Sequence, residues 1–265
     1  MATIIALTNQ KGGVGKTTTS SALASGLASF YDKKVLAVDL DPQGSLGFSL
    51  GLDIENGRTI YDVMRGQVSM QQAIQPTDYC DVVTSNILLS GAELEFTSHD
   101  RKLLLKQALA PVVASYDYVV IDTPPALNVL TVNAYAAADH LIIPMAPEIL
   151  SLLGITQLKE TIDSVREGLN PRLNVLGIIL TKFNRRTLLA REVKEMAENV
   201  ASQMGTCVFG TQIRTSVSVA EAPAHGLSVF DYSPKSNPSL DYKDFVQEVV
   251  SMTLGKKAAG GGING

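Results

Sequence analysis

Six side chains in this chain have the types and spacing for phosphate chemistry. Lys11, Lys16 and Thr17 belong to a glycine-rich run, Lys11-Gly12-Gly13-Val14-Gly15-Lys16-Thr17-Thr18, and three aspartates, Asp39, Asp41 and Asp122, stand downstream. Glycines let a backbone curl around an anion without Cβ clashes and aim successive N–H groups at it. A lysine at position 16 would reach the β- and γ-phosphates of a nucleotide, and the Thr17 hydroxyl would sit on Mg²⁺. Carboxylates suit the same ligand: one can hold a metal-bound water and another can orient an attacking water.

The surrounding sequence says which elements position these groups. Thr3 to Thr8 is an apolar run that reads as a buried strand, and a helical pattern begins near Thr17. Strand, loop and helix start in succession put the positive end of a helix dipole at the loop. Val35-Leu36-Ala37-Val38 ends in Asp39, followed by Leu40-Asp41-Pro42-Gln43-Gly44. Tyr118-Val119-Val120-Ile121 ends in Asp122, and Pro124-Pro125 forbid the strand from continuing. Each aspartate therefore falls at or just past the carboxyl end of an apolar strand, the edge where open α/β sheets bind ligands.

Strands are expected over 3–8, 34–39, 80–84, 117–122, 139–145, 173–181 and 206–213. Helical patterns are expected at 59–64, 70–74, 92–96, 101–113, 127–138, 150–169, 187–204 and 241–254. This alternation predicts an α/β fold: a doubly wound, mainly parallel sheet of about seven strands with helices on both faces. Residues 1–257 read as a single domain, and the Ala/Gly-rich residues 258–265 read as a disordered tail.

The 265 residues are 45% apolar and 18% charged, enough for one large core. A net charge of −4 gives no global sign of nucleic-acid binding, so any basic patch must be local. Cys80 and Cys207 follow no metal or redox spacing and read as buried cytosolic thiols; His99, His140 and His225 share no motif. No apolar run approaches the ~18 residues of a membrane span, and no leader-like segment precedes the first strand.

The densest basic cluster is Lys182, Arg185, Arg186, Arg191 and Lys194, with Glu192, Glu195 and Glu198 interspersed. Such a stripe is sufficient for sequence-independent contact with DNA phosphates, and Arg214 and Lys235 could extend it. The solvated face of an ordinary helix is the competing reading.

The loop departs from the standard G-x-x-x-x-G-K-[ST] pattern: Gln10 replaces the first glycine, and a second lysine, Lys11, stands near the front. Lys-Gly-Gly-Val-Gly-Lys-Thr, Asp-Leu-Asp-Pro-Gln-Gly and Val-Ile-Asp-Thr-Pro-Pro, in that order, resemble the ParA/MinD family of ATPases with a deviant phosphate loop, its ParA/Soj branch above all. The likeness covers about residues 2–254. It implies that ATP and Mg²⁺ bind Gly12 to Thr18, with Thr17, Asp39 and Asp122 on the metal side. It implies that Asp41 orients the hydrolytic water and that Lys11 crosses an ATP-dependent homodimer to touch the partner's nucleotide. Thr181 and Asn184, after the sixth strand, would lie by the adenine.

The same resemblance implies nonspecific DNA binding, a ParB-type adaptor that stimulates slow hydrolysis, and residence in the cytoplasm on the nucleoid. The segment from Arg214 to Pro223 matches the family's stretch ending in Glu-Ala-Pro, with Thr215 and Ser218 where many chromosomal members carry arginine. Arg214 is then its only guanidinium. Three relatives of this chemistry compete. A nucleoid-bound cargo-positioning ATPase would differ only in its adaptor. A MinD-type membrane regulator would need a basic terminal helix, whereas Asp241, Asp244 and Glu248 oppose Lys243 here. The third is a metabolic or metal-cluster carrier ATPase, of which cluster delivery would need paired cysteines.

Overall fold

The computed structural model describes residues 2–54, 57–98, 100–148 and 153–260. Its framework is an eight-stranded sheet: β1 Thr3–Leu7, β2 Val35–Asp39, β3 Gln75–Pro76, β4 Asp81–Val83, β5 Tyr118–Asp122, β6 His140–Met145, β7 Asn174–Phe183 and β8 Val208–Arg214. The order across the sheet is β3-β4-β2-β5-β1-β6-β7-β8. Only the β3–β4 pairing is antiparallel. Seven of the strands match the expected ones. The eighth, β3, is two residues long and ends in Pro76, which cannot donate to a ladder and so marks an edge.

The helices are α1 Lys16–Tyr31, α2 Ser45–Ser49, α3 Ile60–Met64, α4 Met70–Ala73, α5 Ala92–Glu95, α6 Leu104–Leu109, α7 Val129–Ala137, α8 Leu153–Gly168, α9 Leu188–Gln203, α10 Ser218–Glu221, α11 Val229–Tyr232 and α12 Asn237–Gly260. The pattern over 101–113 shrinks to α6, and the start of the helix expected from 150 lies outside the described residues, as does His99. The closing helix is longer than the pattern at 241–254. It starts at Asn237 and continues through the helix-forming Lys256-Lys257-Ala258-Ala259 to Gly260, so the first three residues of the expected tail are helical. Residues 261–265 lie outside the described residues.

Side chains alternate across the sheet, as the two-residue period of a strand requires. Ala6, Leu36, Val38, Val119 and Ile121 face one core with Tyr135, Leu158, Ile162 and Val193. Ile5, Leu7, Val35, Ala37, Tyr118 and Val120 face the other with Leu23, Leu27, Tyr242, Phe245 and Val249. Both faces are covered, which is why the central strands read as unbroken apolar runs. α1 packs so tightly on α12 that a Cβ on Gly26 would stand 2.8 Å from a Val246 methyl. The apolar face of α12 is thereby spent in the core. Among the described residues no helix is long and apolar enough to cross a membrane.

Candidate active site

Parallel register brings the predicted acids together. Leu7 of β1 and Asp39 of β2 each pair with Asp122 of β5, so three strands end side by side. The chain from β1 then turns through the glycine-rich loop into α1. Gly13 and Gly15 hold φ of +73° and +84°, conformations strained for any residue with a Cβ. The loop rims a cleft of about 750 Å³, whose wall includes Gly12, Gly13, Gly15, Lys16, Thr17, Thr18 and Asp41. That volume suits a nucleotide-sized ligand.

Within the cleft the side chains are already organised. Lys16 is 6% exposed as a residue, and its ammonium donates to the Lys11 carbonyl at 3.1 Å, hooked back over the loop. Burial lowers its pKa, while Asp122 and Asp41 oppose that shift. Thr17 Oγ1 donates to Asp122 Oδ2 at 2.6 Å, and Ser20 Oγ, one turn along α1, donates to Asp122 Oδ1 at 2.9 Å. A hydroxyl has one proton and two lone pairs, so Thr17 keeps acceptor capacity for a cation. Burial pushes the Asp122 carboxyl up to about 6, against the hydroxyls and Lys16, which favour its charged form.

Asp41 is partly exposed and lines the cleft; its Oδ1 accepts from Gln43 N at 3.1 Å. Asp39 departs from the expected metal-facing role. It is wholly buried, and its two oxygens accept from Asp41 N and Leu46 N, each at 2.9 Å. It therefore braces the turn that carries Asp41. Its pKa is raised well above the carboxylate norm by burial and by Asp122 beside it.

Thr17 and Asp41 open on the cleft and the buried Asp122 backs Thr17 through its hydroxyl, an oxygen-rich set that fits magnesium. Among the described residues no group of three or more acidic, His or Cys side chains forms a metal cage by itself.

Lys11 forms an ion pair with Glu148, a residue the sequence did not single out. Lys11 lowers the Glu148 pKa by donating to its carboxylate. Val14 is 1% exposed and lies outside the cleft wall, and its carbonyl accepts from Thr181 Oγ1 at 2.7 Å. Thr181 thus touches the loop itself. Asn184 is exposed on the turn beyond β7, where its Oδ1 accepts from Arg186 N at 3.1 Å, and it takes no part in the cleft wall. Thr181 lines the cleft, and the wall opposite the loop comes from Ile213, Thr215, Ser216, Val219 and Pro223 at and after the end of β8, and from Tyr242 of α12. The only sequence signal for that wall was the likeness of the Arg214–Pro223 segment. A neighbouring cavity of about 600 Å³, beyond Phe48 and lined by Tyr79 and His225, holds none of the predicted residues.

The six basic residues do not share one face. Lys182 and Arg214 line the nucleotide cleft. Arg214 grips Asp241 in a fork, Nη2 to Oδ1 at 2.6 Å and Nε to Oδ2 at 2.9 Å, tying β8 to α12. The fork engages Nε and Nη2, while the Arg214 side chain stays 44% exposed. Arg185, Arg191 and Lys194 line an outer groove with Phe183, Gln212, Glu195 and Glu198. Arg185 Nε donates to Gln212 Oε1 at 3.0 Å, and Lys194 pairs with Glu198 at 3.3 Å. Arg186 is exposed on the turn beside that groove.

A doubly wound sheet with this loop and these acids defines a P-loop nucleoside triphosphatase. A family profile described as an AAA domain matches residues 2–175. The chain is 41% identical to the chromosome partitioning protein ParA of Myxococcus xanthus over 251 residues, 93% of this chain and 87% of the relative. It is 40% identical to the sporulation initiation inhibitor protein Soj of Bacillus subtilis over 257 residues, 95% and 99% of the two chains. Cobyrinic acid a,c-diamide synthase from Mycobacterium smegmatis, solved with ADP and magnesium, superposes with a TM-score of 0.82 at 34% identity, covering 94% of each chain. The chain belongs to the ParA/Soj family of chromosome-partitioning ATPases.

Proposed function

We propose that this chain is a magnesium-dependent ATPase whose ATP-bound homodimer holds DNA without regard to sequence and moves a plasmid or chromosome region on the nucleoid. The observation that carries the reading is the convergence of Lys16, Thr17 and Asp41 at one cleft, with Asp122 behind Thr17, and a basic groove of Arg185, Arg191 and Lys194 that begins at Phe183, one residue past the cleft-lining Lys182. Lys16 and the loop amides cradle the phosphates. Thr17 and Asp122 hold magnesium, which when bound neutralises phosphate charge. Asp41, with one carboxylate oxygen outside its backbone hydrogen bond, orients the attacking water. Lys11 exchanges Glu148 for the nucleotide of a second copy, adding positive charge where an arginine finger would.

In this reading hydrolysis is slow until a ParB-type adaptor speeds it, because a switch must persist between its states. The names of the ParA and Soj relatives support the partition role. Of the two proposed neighbours of the base, Thr181 lines the cleft and Asn184 does not, and the segment after β8 supplies more of the wall. The test is DNA co-sedimentation and light scattering of the full chain with ATP, ADP or no nucleotide, with and without the product of the adjacent gene. ATP-dependent dimers that pellet with DNA of any sequence are expected. A monomer that ignores DNA in ATP would remove the partition reading and leave the ATPase assignment standing.

A further inference from the structure

The end of β7 joins the two sites. Thr181 is 2% exposed, its hydroxyl donates to the Val14 carbonyl, and its methyl lies 3.7 Å from where a Cβ on Gly15 would stand. It touches the loop where the chain turns left-handed just before Lys16. Two residues on, Phe183 pairs with Arg214 of β8 and lines the outer groove with Arg185, Arg191 and Lys194. Between them the β7–β8 register shifts, between Leu180 and Phe183. Lys182 sits in that irregularity with φ +50°, and its side chain lines the nucleotide cleft.

Among the described residues only Asp32 shares such a φ without being glycine, and Asp32 caps the end of α1. A lysine gains nothing locally from that conformation, so the surroundings impose it. Strain held at a bulge beside a binding site marks a place with a second accessible arrangement.

We propose that Thr181 is a positioning residue that couples the phosphate loop to the outer basic groove, with Lys182 as the joint between them. The proposal rests on the reading that this groove binds DNA. Filling the loop with phosphates shifts the Val14 carbonyl, Thr181 follows through its hydroxyl, and the bulge passes the movement to Phe183 and Arg185. By linkage, DNA then tightens ATP binding by the same factor that ATP tightens DNA binding.

The experiment measures affinity of the full chain for a labelled duplex of arbitrary sequence, with a non-hydrolysable ATP analogue and with ADP. Wild type is compared with Thr181→Val, Thr181→Ser and Lys182→Gly. The wild-type ratio of the two affinities is expected in the range of about 5–150-fold typical of coupled sites. Thr181→Val, of the same shape but without the hydroxyl, is expected to bring the ratio close to one at saturating concentrations of either nucleotide. Thr181→Ser keeps the hydroxyl and is expected to keep the ratio. Lys182→Gly, which leaves the Thr181 hydrogen bond intact and frees the joint, is expected to lower it. A full ratio in both Thr181→Val and Lys182→Gly, or a loss in Thr181→Ser equal to that in Thr181→Val, overturns the coupling. A wild-type ratio of one overturns the DNA switch itself, so the two failures are told apart by the wild-type arm.

Discussion

The phosphate loop and the outer basic groove are built on opposite plans. Behind the loop, Lys16, Asp39 and Asp122 are buried and their polar atoms are engaged: Lys16 on a carbonyl, Thr17 and Ser20 on Asp122, Asp39 on two backbone amides. At the groove the charges are exposed and diluted by Glu195 and Glu198, and Lys194 already has a partner. Preorganised donors in a dry site act strongly on one ligand geometry. Screened surface charges act weakly and on any phosphate backbone. The first plan suits chemistry, and the second suits reversible holding of a polymer.

Four variants break or sharpen that contrast. The largest effect is expected from Asp41→Ala, which should lower turnover by about 10²–10⁴-fold, the usual worth of a proton-handling or water-orienting group. ATP binding should survive, so ATP-dependent dimers should accumulate in light scattering; normal turnover would take Asp41 out of its role. Lys16→Ala comes next. Losing one charge-assisted contact should weaken ATP by about 10–100-fold in calorimetric titration, and unchanged affinity would refute the loop assignment.

Asp122→Asn tests whether the buried site stores strain. The Asp122 carboxyl titrates at about 6 in the folded chain against 3.8 as its ordinary value. The folded state therefore binds the extra proton between about pH 4 and 6, and this group's contribution to stability falls as pH rises through that window. At pH 7 the amide should stabilise the nucleotide-free chain by on the order of 1–3 kcal/mol, seen as a higher Tm that shrinks below pH 5, while turnover collapses. A lower Tm at pH 7 would mean that the site is relaxed without its ligand. The smallest effect is expected from Arg185→Ala with Arg186→Ala. DNA affinity should fall roughly tenfold and the salt slope by about 2, with ATPase activity unaltered. An unchanged slope would move the DNA face elsewhere.

The two regions were also unequally legible in the sequence. The loop, Asp41 and Asp122 could be read because each sits at the end of an apolar strand, and parallel pairing brings such ends to one edge. Asp39 could be placed at that edge, but not oriented. Nothing local says that its oxygens would meet the amides of Asp41 and Leu46. The basic cluster looked continuous because its members are close in sequence. β7 runs two residues further than its apolar pattern, and the bulge there turns Lys182 into the cleft and away from Arg185.

What the sequence determined by itself is the order of the strands' chemistry: a glycine turn after β1 and a carboxylate at the ends of β2 and β5. Those follow from local rules, the steric freedom of glycine and the apolar run that buries a strand on both faces. Only the tertiary structure decided the pairings between distant groups. Arg214 is claimed by Asp241, Lys11 by Glu148 and the Val14 carbonyl by Thr181, across separations of 27, 137 and 167 residues. A side chain's charge is written in its residue type, whereas its partner is set by which elements the sheet order brings within hydrogen-bond reach.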